Sequence, residues 1–123
     1  AKGDSDYLPH KYPRNCACCT GTHDNPPARA WFDSLNPQDR DFAARYLGLS
    51  EQEGFCWGLI RGGMGSVADL FVAQMQDYLG LGEEGRVNRP GVPQGNWQFR
   101  LKRGEYTMEL AERVAQLTRM FGR

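Results

Sequence analysis

A short polar motif that could carry chemistry follows the first apolar run of the chain. Residues 15–20 are mostly apolar and end at Gly21, which predicts a strand buried on both faces. His23, Asp24 and Asn25 come directly after it. Ligand-binding residues of α/β proteins lie at the carboxyl ends of parallel strands, so this motif is a candidate site. The alternative for the same residues is a turn or a helix-capping device.

A second candidate lies in the glycine-rich stretch of residues 80–104, which shows almost no periodicity. An irregular loop longer than about 15 residues inside a compact domain indicates function or disorder, and we favour function. Asn88 and Trp97 supply an amide and an aromatic plane, set among glycine turns. These are the groups needed to stack on and hydrogen-bond a polar ring such as a sugar.

Three cysteines near the same motif raise the question of a metal. Cys16, Cys18 and Cys19 lie within eight residues of each other and of His23, which is a set of ligands suited to zinc. On a strand, however, Cys16 and Cys18 face one side and Cys19 faces the other, so they converge only if the segment is a loop. Buried thiols are far commoner. We therefore expect no metal and keep a self-contained thiol or zinc module as an alternative.

The elements around these motifs predict one helix-rich α/β segment covering residues 1–123. Its two short strands are separated by helices and about fifty residues of chain, so they are expected to be parallel. The predicted parts are, in order, an arm (1–14), a strand with the His-Asp motif (15–25), helices (28–68), a strand (69–75), a substrate loop (80–104) and a closing helix (107–121).

Capping signals locate several helix ends. Asn36 before Pro37 predicts a helix start, and Gly48 ends that helix. Thr107 is the predicted cap of the closing helix. The sequence Ser-Glu-Gln-Glu at 50–53 is a capping box that predicts the start of the next helix. The glycines near the end of that helix, Gly63 among them, are expected to let it approach the sheet closely.

Charge and hydropathy exclude several classes of function. The 15 basic and 15 acidic side chains balance, which disfavours nucleic acid and anionic membranes as partners. No apolar stretch approaches the ~18 residues of a membrane span, and the first residues are too polar for a signal peptide. We therefore expect a cytoplasmic protein. A mean hydropathy of −0.64 suits a loop-rich piece of something larger.

Five ordered phrases resemble the amylomaltase family of 4-α-glucanotransferases, also called disproportionating enzymes, in the α-amylase clan. The closing residues 117–123 also look like the end of that family's chain. The phrases are Leu-Pro-His-Lys-Tyr-Pro (8–13), Thr-Gly-Thr-His-Asp-Asn (20–25), Met-Gln-Asp-Tyr-Leu-Gly-Leu-Gly (75–82), Asn-Arg-Pro-Gly (88–91) and Gly-Asn-Trp (95–97).

The resemblance implies that the chain is the C-terminal portion of a (β/α)8 TIM barrel, about its last two β/α units. Family members transfer α-1,4-glucan segments between maltooligosaccharides with retention of configuration. Their nucleophile and acid/base lie on earlier strands, so this chain alone is expected to be inactive. Implied partners are maltooligosaccharides, starch- or glycogen-derived glucans and the remainder of the enzyme. No cofactor is implied.

The resemblance also assigns roles by residue. Asp24, with His23, falls on the family's third catalytic carboxylate, which binds sugar hydroxyls and helps to distort the ring. Asn88 corresponds to a substrate amide on the acceptor side. The other substrate-binding residues that it implies are Asn25 in the His-Asp motif, Gln76 and Asp77 at the end of the second strand, Trp97 in the loop, and Asp4 in the arm.

Two further expectations follow. Open sheet edges leave backbone groups unpaired, so the isolated chain is expected to be ordered only when paired with the rest of its enzyme or with another copy of itself. A small carbohydrate-binding module is a further alternative function.

Overall fold

The computed structural model describes residues 3–123, so the first two residues of the predicted arm lie outside the described residues. Within residues 3–123, five α-helices and two strands follow one another, with short 3-10 turns at Pro9–Lys11 and Glu83–Gly85. The elements are β1 (Ala17–Cys19), α1 (Ala28–Ser34), α2 (Pro37–Leu47), α3 (Phe55–Met64), β2 (Leu70–Val72), α4 (Met75–Tyr78) and α5 (Met108–Met120).

The two strands pair in parallel, as predicted, with Cys18 opposite Phe71. Both are shorter than expected: the second ends at Val72, and residues 75–78 form α4 instead of continuing the strand. The prediction that β1 is buried on both faces is wrong. Cys18 is buried, but its neighbours Ala17 and Cys19 are exposed, because within this chain only one face of the sheet is covered.

The helices between the strands cover that face. Ile60 of α3 is fully buried, and a Cβ at Gly63 would run into the ring of Phe71 on β2. Glycine is therefore required where α3 crosses the sheet, which confirms the expected close approach. Asn36 accepts a hydrogen bond from the Asp39 N–H, and Gly48 ends α2 in the left-handed conformation, so both predicted caps are confirmed.

The predicted start of the third helix is wrong. The Ser50 hydroxyl does accept a hydrogen bond from the Glu53 N–H at 3.2 Å, but the resulting turn stops at Gly54, whose φ of 78° is not helical. The helix begins at Phe55. The Glu53 carboxylate accepts a hydrogen bond from Arg61 Nε at 2.7 Å, so it anchors the turn to α3 instead of closing a capping box.

The last helix returns to the turn that precedes β2. Thr107 caps its N-terminus, as predicted, by accepting from the Leu110 N–H. Beyond its C-terminus, the Arg123 guanidinium donates to the carbonyl oxygens of Met64, Ser66 and Ala68 at 2.7–3.0 Å. Helix α5 is thereby fixed against the entry to β2. Among residues 3–123, no helix combines the length and the apolar character needed to cross a membrane.

Candidate functional site

The His-Asp motif lies on the loop that leads from β1 to α1. Its shape is set by Asn25, whose Oδ1 accepts hydrogen bonds from the N–H and the hydroxyl of Thr22 at 2.8 and 3.0 Å. The Gln74 amide, between β2 and α4, donates to the Thr22 carbonyl at 2.8 Å. The amide oxygen of Asn25, predicted to bind substrate, is thus used inside the loop.

The second segment, residues 86–97, folds back on itself. The Trp97 N–H donates to the Val87 carbonyl at 2.7 Å. Asn96 accepts from the Arg89 N–H and donates to the Val92 carbonyl, at 2.9 and 2.7 Å. Trp97 itself has a φ of 61°, a left-handed conformation that is uncommon for a bulky residue and marks a candidate functional position.

The two segments meet at Asp24. Asn88 Nδ2 donates to Asp24 Oδ1 at 2.6 Å, and His23 Nε2 lies 3.4 Å from the same oxygen. The His23 and Trp97 rings are 4.9 Å apart and tilted by 41°. The structure therefore brings together four of the predicted site residues, here called the Asp24 cluster: His23, Asp24, Asn88 and Trp97.

The Asp24 cluster is open to solvent. The side chains of His23 and Asp24 are both about half exposed, and Trp97 is more exposed still. Within residues 3–123 no group donates a hydrogen bond to Asp24 Oδ2. A carboxylate oxygen, an imidazole and an aromatic ring thus face outward together, which suits a ring that carries several hydroxyls.

Arg86 joins the two segments through their backbones, a role that sequence reasoning missed. Its Nη2 donates to the Asp24 carbonyl and its Nε donates to the Asn88 carbonyl, both at 3.0 Å. Glu83 lies against Arg86 and Arg89 at 3.5 and 3.0 Å. Nothing in the local sequence distinguishes this arginine from a surface arginine; the signal is its low exposure and its span between two distant carbonyls.

Gln76 and Asp77 are placed differently from the prediction. Both lie in α4 and both are buried, with exposed fractions of 5% and 2%. Gln76 Nε2 donates to the Gly85 carbonyl at 3.0 Å. Asp77 accepts from the Thr20 hydroxyl at 2.5 Å and from the Ala28 N–H at 2.8 Å. Their polar groups therefore face the protein interior, because β2 ends at Val72 and both residues lie on the buried side of α4.

Asp4 is exposed in the arm, and no hydrogen bond or ion pair of the described residues joins it to the Asp24 cluster. The arm is attached elsewhere: the His10 ring lies 2.9 Å from the Tyr46 hydroxyl of α2. The prediction that Asp4 binds substrate stays a prediction.

The cysteines form no ligand set. Cys16 donates its Sγ–H to the Pro13 carbonyl at 3.0 Å, and no group of three candidate ligands within residues 3–123 is arranged to hold a metal ion. Burial raises the pKa of the Cys18 thiol. Burial, followed by the charge of Asp77, raises the pKa of Cys56 and of Tyr78. The two buried thiols are thus held in their neutral form and act as core side chains.

Comparisons with known proteins show which family the chain resembles. A family model described as 4-alpha-glucanotransferase matches residues 1–107. A 4-alpha-glucanotransferase of Clostridium butyricum is 45% identical over 98% of this chain and 26% of its own length. One of Thermus thermophilus is 42% identical over 90% of this chain and 24% of its own.

A solved structure, the amylomaltase from Streptococcus agalactiae in complex with acarbose, superposes with a TM-score of 0.95 at 28% identity. The match covers 98% of this chain and 24% of that one. The chain therefore spans about a quarter of the length of the relatives that it matches.

Proposed function

The chain belongs to the 4-alpha-glucanotransferase family, and we propose that it supplies one wall of the glucan site of such an enzyme. In this proposal Asp24 binds hydroxyls of the sugar whose bond is cleaved, and the whole enzyme moves α-1,4-glucan segments between maltooligosaccharides. The two β/α units described above then close a (β/α)8 barrel whose other strands are not part of this chain.

The observation that carries the proposal is the convergence on Asp24 Oδ1 of Asn88, at 2.6 Å, and His23, at 3.4 Å. Both contacts orient the carboxylate, and they leave Oδ2 without a donor among residues 3–123. A fixed negative charge beside the sugar stabilises the positive charge that develops on the ring in an oxocarbenium-like transition state. Trp97 would provide a face for stacking a neighbouring sugar.

The Asp24 cluster cannot cleave the bond unaided. Retaining enzymes need two carboxylates about 5–5.5 Å apart, one as nucleophile and one as acid/base. In this cluster Asp24 is the carboxylate joined to His23 and Asn88, whereas Glu83, linked through Arg86, is paired with arginines. The nucleophile and the acid/base must come from other residues of the enzyme, so the 123-residue chain assayed alone transfers no glucosyl units.

The remaining predicted residues take secondary roles. Asn25 shapes the loop that carries Asp24, since its amide oxygen accepts from Thr22. Asp4 stays a proposed substrate-binding residue of the arm. A cytoplasmic location is also proposed; the four free cysteines support it, because proteins of reducing compartments keep their thiols reduced.

A chimera tests the function. In it this chain replaces the matching quarter of the Clostridium butyricum relative, and glucose release from maltotriose is measured. The chimera should be active, and Asp24→Asn should lower kcat by ~100-fold or more, the size expected when one transition-state electrostatic group is lost. Asp33→Asn, at an exposed position of α1, is the control. A folded but inactive chimera, or full activity of Asp24→Asn, would contradict the proposal, as would glucose release by the isolated chain.

A zinc module or a simple carbohydrate-binding module would behave differently. The first would retain stoichiometric zinc that is lost when Cys16 is replaced. The second would bind maltooligosaccharides in a way that depends on Trp97 and not on Asp24. Either result with the purified protein would replace the glucanotransferase proposal.

A further inference from the structure

Both ends of the loop that carries His23 and Asp24 are hydrogen-bonded to one buried carboxylate. Thr20, the last residue before the loop, donates its hydroxyl to Asp77 Oδ2 at 2.5 Å. Ala28, the first residue of α1 after it, donates its N–H to Asp77 Oδ1 at 2.8 Å. The two ends are thus bound to the two oxygens of a single side chain that is 57 and 49 positions away in the sequence.

Asp77 has no access to a ligand. It is 2% exposed and sits in α4, behind the loop. Each of its carboxylate oxygens has a donor inside the chain, and Gln74, just before α4, makes a third hydrogen bond to the loop, at the Thr22 carbonyl. Burying a polar side chain costs free energy unless it is hydrogen-bonded, so the two contacts offset the cost of burying Asp77.

We propose that Asp77 is a positioning residue for the reaction, holding both ends of the 20–28 loop at the separation that aims Asp24 at the sugar. The inference rests on the proposed function of Asp24. This role differs from a contribution to stability alone, because Asp77 fixes Thr20 and Ala28, the two residues that flank the His-Asp motif. Loss of one of these two hydrogen bonds lets Asp24 shift while the rest of the fold is retained.

Thr20→Val tests this more cleanly than a change of Asp77, because valine keeps the shape of threonine and removes one of the two contacts. In the chimera we expect kcat to fall about 10-fold to 100-fold, the cost of a small misplacement of a reacting group, with KM changed by less than about 3-fold. Thr20→Ser keeps the donor and should restore most of the kcat. Thr118→Val, which removes the α5 hydroxyl bonded to the Val114 carbonyl, is the matched control.

Two variants of Asp77 extend the test. Asp77→Asn can keep both contacts, since its amide oxygen can accept from Ala28 and its nitrogen can donate to the Thr20 oxygen. Asp77→Leu can keep neither. The proposal expects Asp77→Asn to retain far more kcat than Asp77→Leu, and if the leucine variant does not fold, the Thr20 series decides the question.

A double-variant cycle separates positioning from stability. If Thr20 and Asp77 act through Asp24, Thr20→Val should change kcat by less than about twofold once Asp24 is already asparagine. Hydrogen exchange gives a second readout: amides at 22–25 should exchange faster in Thr20→Val, with those of α2 and α5 unchanged. Equal kcat for the valine and serine variants, or the same fold loss in both backgrounds, would overturn the proposal. Failure of the proposed function would appear separately, as full activity of Asp24→Asn.

Discussion

Asn88 donates a hydrogen bond of 2.6 Å to Oδ1 of Asp24, although 64 positions separate the two residues. The contact joins the loop after β1 to the loop after α4, and it places a neutral donor where a charged partner would neutralise the carboxylate. Asn88 therefore orients the Asp24 carboxylate without adding a charge to the site, and in the proposed function this carboxylate faces the developing cation.

This contact predicts the effect of changing Asn88. Asn88→Ala should lower kcat/KM about 10-fold to 100-fold in the chimera, because a hydrogen bond to a charged group contributes ~1.5–3 kcal/mol. Asn88→Asp should cost more at pH 8, since two carboxylates would then lie within contact distance. At pH 5 its deficit should shrink, because one shared proton restores a donor. A deficit that does not depend on pH would contradict this reading.

Arg86 provides a second prediction. Its two contacts, to the carbonyls of Asp24 and Asn88, use two different nitrogens of one planar group. Lysine presents a single ammonium and cannot reproduce that geometry. Arg86→Lys should therefore lower kcat about 10-fold and speed hydrogen exchange in residues 86–90, whereas Arg119→Lys on the exposed face of α5 should do neither. Equal kinetics for the two variants would show that Arg86 does not organise the site.

The buried thiols predict how stability depends on pH. Burial raises the pKa of Cys18 and Cys56 above the ordinary thiol value of 9.0, so the folded state holds these protons more tightly than the unfolded chain does. Their contribution is complete below pH 9 and is lost as the pH rises past it, when the unfolded chain deprotonates first. The urea midpoint of the chimera should fall between pH 8 and 10, and Cys56→Ala should flatten that slope. Cys19→Ala, at an exposed position, should leave the slope unchanged.

The exposed surface of the two strands predicts that the isolated chain associates. Leu70 and Val72 of β2 are 56% and 47% exposed, and in the described part of the chain each strand has one edge that no other strand pairs with. Apolar surface and free backbone groups of this kind favour pairing with another chain. Sedimentation should show self-association of the 123-residue chain, or its capture by the remaining part of the enzyme. A monomer with strongly protected amides at Cys18 and Val72 would contradict this expectation.

Local signals predicted much of the fold. The caps at Asn36, Gly48 and Thr107 were found because each rests on the chemistry of one or two adjacent residues. The strand ends and the start of α3 were wrong because tertiary contacts decide them. Glu53, for example, completes a capping box in the sequence, yet in the fold its carboxylate accepts a hydrogen bond from Arg61.

The site residues also divide into those that local sequence predicts and those that tertiary contacts decide. His23, Asp24, Asn88 and Trp97 were predicted from motifs, and the structure brings them together. The inward turn of Gln76 and Asp77 could not be read from sequence, because it depends on β2 ending at Val72. Arg86 was missed for the opposite reason: its partners are backbone carbonyls, which every residue has and no motif marks.

The parallel pairing of Ala17 with Leu70 also sets an order of folding. The turns of α1, α2 and α3 need only neighbouring residues and form fast, whereas the strand pair must first close a loop of about fifty residues, an entropic cost that slows its formation. The loops that hold Asp24 and Asn88 start from those strands, so their contact forms after the pair has found its register. During synthesis the proposed glucan-binding wall is therefore among the last parts of this chain to take shape, after the helices.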